Sequence, residues 1–186
     1  MINFVPEKVF FVKWVGYHED ELVSFELALR DAGVEMFNFV PVSSIYPPNC
    51  EIVDYNTWIK NLKPWQIVFC VMARYSSNRE WEKIFSAVGC AFPEDKNHRG
   101  YFTEYHGTID SLKSQIENDK KVKTSIDFFW VNLASNIDGG KYAQLSAEYM
   151  LKTWFWKKVK SSTSIYQQAI VPKDKWATVL SIAVFV

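Results

Sequence analysis

An excess of charge of either sign is missing from this sequence. Its 21 lysine and arginine side chains are balanced by 21 aspartate and glutamate side chains, which gives a formal net charge of zero. A general nucleic-acid binder, or a protein that binds an anionic membrane surface, needs a basic excess, so neither partner is expected. A net charge near zero also provides little repulsion between copies, which favours a homo-oligomer over a lone monomer.

Cysteine and histidine are scarce, with three residues of each. The cysteines, which include no CxxC pair, are Cys50, Cys70 and Cys90. An odd number without such a pair predicts reduced thiols in a cytoplasmic protein rather than a disulfide framework. His18 and His98 lie in polar, turn-like segments, and His106, beside Glu104, lacks the further ligands that a metal ion needs. No metal site is therefore predicted.

Long apolar runs and several common enzyme motifs are missing as well. No segment approaches the length of a membrane span, and residues 1–6 lack the basic and apolar regions of a signal peptide. The sequence contains no GxSxG, GxxxxGKS/T or GxGxxG motif. A chain of 186 residues without a linker or a repeat is expected to form a single domain over residues 1–186.

The segments that are present alternate between strand and helix patterns. Asp20 begins an amphipathic helix that Gly33 ends, and residues 109–120 are also helical in pattern. Residues 142–160 are predicted to form a long helix with a basic end. Its aromatic residues at heptad separation are Tyr142, Tyr149 and Trp156. Strands are predicted at 8–15, 34–42, 65–75, 81–92, 100–106, 164–171 and 176–186. Because several strands follow one another directly, the predicted class is α+β, with a mixed sheet covered by helices.

The most informative segment is residues 37–53, which read FNFVPVSSIYPPNCEIV. Ser-Ser pairs also occur at 76–77 and 161–162, so the pair Ser43–Ser44 alone indicates only a loop. Its context is distinctive, because the pair ends an apolar strand and stands immediately before Ile-Tyr-Pro-Pro. Two consecutive prolines cannot donate ladder hydrogen bonds, so the strand must break here and the loop must be stiff.

This segment resembles the self-cleavage site of the pyruvoyl-dependent arginine decarboxylases, which has the form SSI-x-PP followed shortly by EIV. Ser43-Ser44-Ile45, Pro47-Pro48 and Glu51-Ile52-Val53 match that form in order. Further matches lie along most of the chain. They are FELALRDAG at 25–33, FPEDK at 92–96, GYFTEYHG at 100–107 and the closing segment 164–186.

The resemblance implies a precursor that cuts itself between Ser43 and Ser44. The products would be a β chain, residues 1–43, and an α chain, residues 44–186, whose Ser44 becomes a covalent pyruvoyl cofactor. That group would take arginine as a Schiff base and release carbon dioxide and agmatine, without a metal. Asn38 matches the family's donor to the charged oxygen, and Glu104 matches its general acid, whose pKa an apolar pocket must raise. The alternatives are, for Asn38, a buried asparagine bonded to backbone and, for Glu104, a solvent-facing strand carboxylate.

Substrate recognition is where this chain departs from the family. The family binds the guanidinium group with an aspartate, and the matching residue here is Glu26, while Leu22 matches its apolar contact to the substrate stem. Arginine is the expected substrate, with ornithine or lysine as alternatives. Glu26 could instead pair with Arg30 at i,i+4, a common and weak interaction. The family's architecture further implies a layered α+β sandwich that assembles as a trimer, with active sites between protomers.

Two other readings of the sequence stay open. The chain could be an unprocessed, non-catalytic trimeric relative that works as a binding or interaction protein. It could also be an unrelated cytoplasmic α+β domain that binds a ligand and in which SSIYPP is a coincidence.

Overall fold

The structure is a computed structural model that describes residues 5–121, 137–155 and 158–186. Two sheets and their covering helices make up the described residues. The strands are β1 (Lys8–His18), β2 (Asn38–Pro41), β3 (Ile45–Tyr46), β4 (Glu51–Ile52), β5 (Ile67–Ser77), β6 (Lys83–Pro93), β7 (Gly100–Thr108), β8 (Val159–Ile170) and β9 (Trp176–Phe185). The helices are α1 (Glu21–Asp31), α2 (Tyr55–Trp58), α3 (Ile109–Lys121) and α4 (Gly139–Phe155), and a 3-10 turn covers Ile59–Asn61.

The first sheet has the strand order β2-β5-β9-β1-β4, and the second has the order β3-β7-β6-β8. Only β1–β4 and β2–β5 pair in parallel; the other neighbours are antiparallel. The longest ladder of the first sheet runs from Val9 opposite Phe185 to His18 opposite Trp176. The α+β class with a mixed sheet is therefore confirmed, and the strands divide into two sheets.

The two sheets pack against each other through apolar side chains that point inward from both. The buried members of this core include Val9, Val71, Val88, Phe102 and Phe185. Helix α1 covers the outer face of the first sheet, where Ala28 and Leu29 pack on Phe10. Helices α3 and α4 cover the outer face of the second sheet. The order of layers is helix, sheet, sheet, helix, as expected of a layered sandwich.

Helix α1 begins and ends where the sequence predicts. The side chain of Asp20 accepts a hydrogen bond from the backbone N–H of Val23 at 3.0 Å, which caps the first turn. After the helix, Gly33 has φ of +68°, a conformation that glycine adopts without a steric penalty. At Gly16 on β1, a side chain would collide with the backbone carbonyl of Ser24. The helix therefore lies close against the sheet.

Three predicted elements have different bounds in the structure. The expected strand 164–171 is Val159–Ile170, because residues before 164 also pair with β6. Only Asn38–Pro41 of the expected strand 34–42 is a strand, because a turn closed by Phe37 N–H and the Val34 carbonyl precedes it. The expected helix 142–160 runs instead from Gly139 to Phe155. It starts earlier because Asp138 accepts a hydrogen bond from Lys141 N–H at 2.8 Å and caps it. It ends earlier because residues from Val159 onward pair with β6. Trp156 lies outside the described residues.

Candidate active site

The pair Ser43–Ser44 lies where the chain crosses from the first sheet to the second. Before the pair, Val42 N–H donates to the carbonyl of Cys70 on β5 at 2.9 Å. After it, the carbonyl of Ser44 accepts a hydrogen bond from Phe102 N–H on β7 at 2.9 Å. Each side of the peptide bond between the two serines is thus held by a different sheet.

A tight turn surrounds Ser44. The backbone N–H of Ile45 donates to the carbonyl oxygen of Ser43 at 2.7 Å, which closes a three-residue turn. The side chain of Ser43 is exposed, and that of Ser44 is half-buried. The hydroxyl group of Ser44 is therefore next to the carbonyl group that it would attack, and the carbonyl oxygen already has a donor.

The strand β7 brings Glu104 to the same place. The Ser44 hydroxyl group donates to Glu104 Oε1 at 3.4 Å, although the two residues are far apart in sequence. The Glu104 side chain reaches solvent, but the surrounding protein removes part of the hydration of its carboxyl group. This desolvation raises the pKa of Glu104, and the hydrogen bond from Ser44 opposes the rise. The direction is the one that the sequence analysis requires of a general acid.

The loop after the pair is fixed by its own side chains. The hydroxyl group of Tyr46 donates to the carbonyl of Cys50, and the Tyr46 ring meets Phe92 edge to face with centroids 4.8 Å apart. Pro47 is buried, and the N–H of Asn49 donates to the carbonyl of Lys96 at 2.9 Å. These contacts agree with the stiff loop predicted from the two prolines.

A cavity of about 370 Å³ opens beside the exposed peptide bond. Apolar side chains form most of its wall; the lining residues are Val5, Pro6, Val42, Ser43, Ile45, Pro47, Pro48, Phe69 and Phe185. Such a wall suits the aliphatic stem of an amino acid and offers its charged end no partner. A charged side chain that binds the charged end of such a substrate must therefore come from outside the lining of this cavity.

In the described chain, the side chain of Asn38 makes its hydrogen bond away from the pair Ser43–Ser44. It is the first residue of β2, and its Nδ2 donates to the carbonyl of Trp65 at 2.8 Å. Among the described residues, Asn38 makes no hydrogen bond with Ser43 or Ser44. The backbone partner agrees with the alternative reading, although Asn38 is exposed and not buried. Asn38 would have to leave Trp65 before it could reach the carbonyl of Ser43.

Glu26 and Leu22 lie on α1, in the outer layer over the first sheet. Glu26 Oε1 is 3.0 Å from Arg30 Nε, the i,i+4 pair of the alternative reading. The side chain of Leu22 is 71% exposed. Helix α1 packs against β1, β9 and β5, whereas Glu104 lies on β7 of the second sheet. A single described chain therefore brings Ser43, Ser44 and Glu104 together but leaves Glu26 and Leu22 in another layer.

Comparison with known proteins decides the family. A model of the pyruvoyl-dependent arginine decarboxylases matches residues 8–186. The chain belongs to this family. It is 46% identical over 182 residues to pyruvoyl-dependent arginine decarboxylase 1 of Archaeoglobus fulgidus, which covers 98% of this chain and 99% of the relative. It is 41% identical over 182 residues to pyruvoyl-dependent arginine decarboxylase 1 of Methanosarcina acetivorans, with 98% and 96% covered.

The chain is similar to two further proteins. The pyruvoyl-dependent arginine decarboxylase of Methanocella arvoryzae is 42% identical over 185 residues, which span 98% of this chain and 96% of the relative. A solved structure of a pyruvoyl-dependent histidine decarboxylase has a TM-score of 0.45 and 13% identity, and covers 67% of this chain and 52% of its own. The resemblance drawn from SSIYPP and its companion motifs is confirmed by the family match.

Family membership implies a pyruvoyl group, and the residues at position 44 fit it. That group replaces a serine whose preceding carbonyl lies within reach of its own hydroxyl group, and Ser43–Ser44 have this order. The Ser44 carbonyl would stay bound to Phe102 N–H, so the new keto carbon would be held beside Glu104. No group of His, Cys, Asp and Glu side chains in the described part of the chain could hold a metal ion. None of the described helices is long and apolar enough to cross a membrane.

Sequence reasoning missed two backbone donors that the structure places at the pair Ser43–Ser44. The N–H groups of Ile45 and Phe102 hold the carbonyl groups of Ser43 and Ser44. Every residue except proline carries such a group, so no residue type marks them. The one signal available was the position of Ile45 directly after the pair.

Proposed function

We propose that this chain cuts itself between Ser43 and Ser44 and then decarboxylates arginine to agmatine and carbon dioxide. The observation that carries the proposal is the contact of the Ser44 hydroxyl group with Glu104, 3.4 Å apart, in a turn that both sheets hold. The names of the related enzymes and the family match support the same reaction.

Self-cleavage uses groups that are already in contact. The Ser44 oxygen attacks the carbonyl carbon of Ser43, and its proton passes to the Glu104 carboxylate. The C–N bond breaks, the nitrogen of Ser44 takes a proton, and an ester joins Ser43 to the Ser44 oxygen. Loss of the Ser44 α-proton then expels Ser43 as a carboxylate and leaves dehydroalanine. Water converts that residue to a ketone and releases ammonia, which gives the β chain 1–43 and the α chain 44–186.

Glu104 then acts in turnover. The pyruvoyl group supplies a carbonyl that withdraws the electron pair left when carbon dioxide departs. Glu104 lies where it can return a proton to the substrate carbon, because position 44 is its hydrogen-bond partner. Desolvation raises the pKa of Glu104, so a larger fraction carries that proton near neutral pH than for a solvated glutamate. We retain Asn38 as a proposed donor to the reacting carbonyl, in a form released from Trp65.

The substrate's charged end requires a second copy of the chain. We propose that Glu26 pairs with the guanidinium group and that Leu22 contacts the stem, both presented by α1 of a neighbouring protomer. An exposed apolar surface lies at the start of β5, beside the edge strand β2, where Trp65 is 83% exposed and Ile67 is 64% exposed. Such residues favour burial between copies. A homo-oligomer, expected to be a trimer, would place α1 of one copy beside Ser44 of the next.

Analytical ultracentrifugation tests the assembly. Trp65→Glu should lower the sedimentation coefficient to that of a monomer. Trp81→Glu changes another exposed tryptophan, on the connection between β5 and β6, and should leave the coefficient unchanged.

A cytoplasmic location of the protein is proposed as well. It agrees with the three buried cysteines, which form no disulfide.

Intact mass under denaturing conditions tests the function. The purified protein should give the two chains 1–43 and 44–186, the latter blocked by a pyruvoyl group, and Ser44→Ala should give one unbroken chain. Carbon dioxide release should be fastest with arginine, and slower with ornithine or lysine. An unbroken wild-type chain that releases no carbon dioxide would instead identify a non-catalytic relative.

A further inference from the structure

The oxygen that becomes charged during self-cleavage already accepts a hydrogen bond in the folded chain. The N–H of Ile45 lies 2.7 Å from the carbonyl oxygen of Ser43. We propose that this backbone N–H is the donor that stabilises the charged oxygen as the Ser44 oxygen bonds to the Ser43 carbon and the C–N bond breaks. The inference deepens the proposed function and rests on its self-cleavage step.

The N–H of Ile45 is free for this task because the β3–β7 ladder does not use it. In an antiparallel ladder, pairs that exchange hydrogen bonds alternate with pairs that do not. Ile45 is opposite Tyr101, and the neighbouring pair, Ser44 and Phe102, is the one in which Phe102 N–H donates across the strands. The N–H of Ile45 therefore points away from β7 and toward the Ser43 carbonyl.

The donor is held in place before any charge develops. Val42 is bonded to Cys70 of the first sheet, and Ser44 is bonded to Phe102 of the second. The turn between them cannot rotate without breaking one of these bonds. A fixed donor stabilises a forming oxyanion more than it stabilises the neutral carbonyl, because hydrogen bonds to a charged oxygen are stronger. The donor therefore lowers the barrier to attack.

This assignment gives Ile45 a role that Asn38 was expected to fill within one chain. The amide of Asn38 donates to Trp65, whereas the N–H of Ile45 already points at the oxygen concerned. The two donors are compatible, since a carbonyl oxygen accepts two hydrogen bonds. Only the Ile45 donor is in place in the described chain, so we expect it to dominate the rate of self-cleavage.

Removing this single N–H tests the proposal. Cell-free synthesis can introduce at position 45 the α-hydroxy acid analogue of isoleucine, which replaces the N–H with an ester oxygen and keeps the side chain. The appearance of the 1–43 chain, followed by intact mass over time, should slow by about 10²-fold or more. The matched control is the same α-hydroxy acid at Ile170 on β8, which removes one backbone N–H from the second sheet and leaves the turn at Ser44 unchanged. It should slow cleavage far less.

Other variants and the wild type separate the possible outcomes. Ile45→Val keeps the N–H and should slow cleavage far less than the ester does, whereas Ile45→Pro also lacks the N–H and should slow cleavage as much as the ester. Resistance to limited proteolysis shows that each uncleaved chain has folded. Cleavage of the Ile45 ester at the wild-type rate, or equal slowing by both esters, would overturn the donor role while leaving self-cleavage intact. A wild-type chain that never cleaves would refute the proposed function together with this inference.

Discussion

Replacing Glu104 with glutamine tests the contact on which the proposed function depends. Glutamine has the same length and can accept the hydrogen bond from Ser44, which lies 3.4 Å from Oε1, but it cannot take up or release a proton. General acid–base catalysis contributes about 10²–10⁴-fold, with full effect at separations of about 2.6–3.2 Å. Because the observed distance is longer, we expect a loss near the lower limit. A loss of about 10²-fold corresponds to about 2.7 kcal/mol of barrier.

Two readouts locate the loss. Self-cleavage is followed by intact mass, and turnover by carbon dioxide released from arginine across a range of pH. Desolvation raises the pKa of Glu104, so the protonated acid persists to higher pH than in an ordinary glutamate. Wild-type turnover should fall as the pH rises through that pKa, and the fall should be missing in Glu104→Gln. If only turnover slows, Glu104 is the acid of decarboxylation but not the base of cleavage.

A matched control separates this effect from a general loss of charge. Glu80→Gln removes an exposed carboxylate on the connection between β5 and β6, and both rates should stay at the wild-type level. The reasoning is refuted if Glu104→Gln cleaves itself and turns over arginine as fast as this control.

Three further predictions follow from the described contacts. Glu26→Gln should raise the KM for arginine at least about tenfold, as expected for loss of a bond between charged groups, and should leave self-cleavage unchanged. Arg30→Gln, which frees Glu26, should not raise the KM. Equal KM values in the wild type and both variants would contradict the assignment of Glu26. Tyr46→Phe loses the hydrogen bond to the Cys50 carbonyl and should lower the free energy of unfolding by about 1 kcal/mol. Urea titrations of the Ser44→Ala chain, with and without this change, measure the difference. An unchanged free energy of unfolding would mean that the hydrogen bond is not formed. Burial raises the pKa of Cys50 to about 11, and burial together with the charge of Glu104 raises the pKa of Cys70 to about 12. Iodoacetamide should therefore label the native protein at pH 8 far more slowly than the unfolded protein. Equal labelling rates would show that these thiols are accessible in the native protein.

Local patterns predicted the elements whose ends carry a local signal. Asp20 and Gly33 mark both ends of α1, because a capping carboxylate and a positive φ are set by one or two residues. The start of α4 carries the same kind of signal in Asp138, but the two residues after it, Gly139 and Gly140, are poor helix formers and conceal it. The end of α4 carries no such signal, because pairing of Val159–Ile170 with β6 outweighs the helical tendency of the preceding residues.

The site residues also divide into those that local motifs predicted and those whose contacts depend on long-range packing. Ser43, Ser44 and Glu104 were predicted through family motifs, and the structure adds that Ser44 and Glu104 are in contact. Periodicity alone predicted a solvent-facing Glu104, and its side chain does reach solvent. Periodicity cannot show that a loop distant in sequence folds against β7 and brings Ser44 to Glu104. The bonds of Asn38 to Trp65 and of Ser44 to Phe102 join segments distant in sequence. Such contacts depend on the packing of two sheets, which no single segment encodes.

The ladder between β1 and β9 has a consequence for the two-chain protein that the proposed self-cleavage would produce. Strand β1 belongs to the segment 1–43, yet it lies between β9 and β4 of the segment 44–186 and pairs with β9 from Val9 to His18. Cutting the bond at Ser44 thus leaves the sheet intact while it separates two polypeptides. In each protomer the uncut precursor folds from one polypeptide, so only the assembly of protomers makes its unfolding midpoint depend on protein concentration. Each protomer of the cut protein must also reassemble from two chains, so its midpoint should rise more steeply with protein concentration than that of the Ser44→Ala chain.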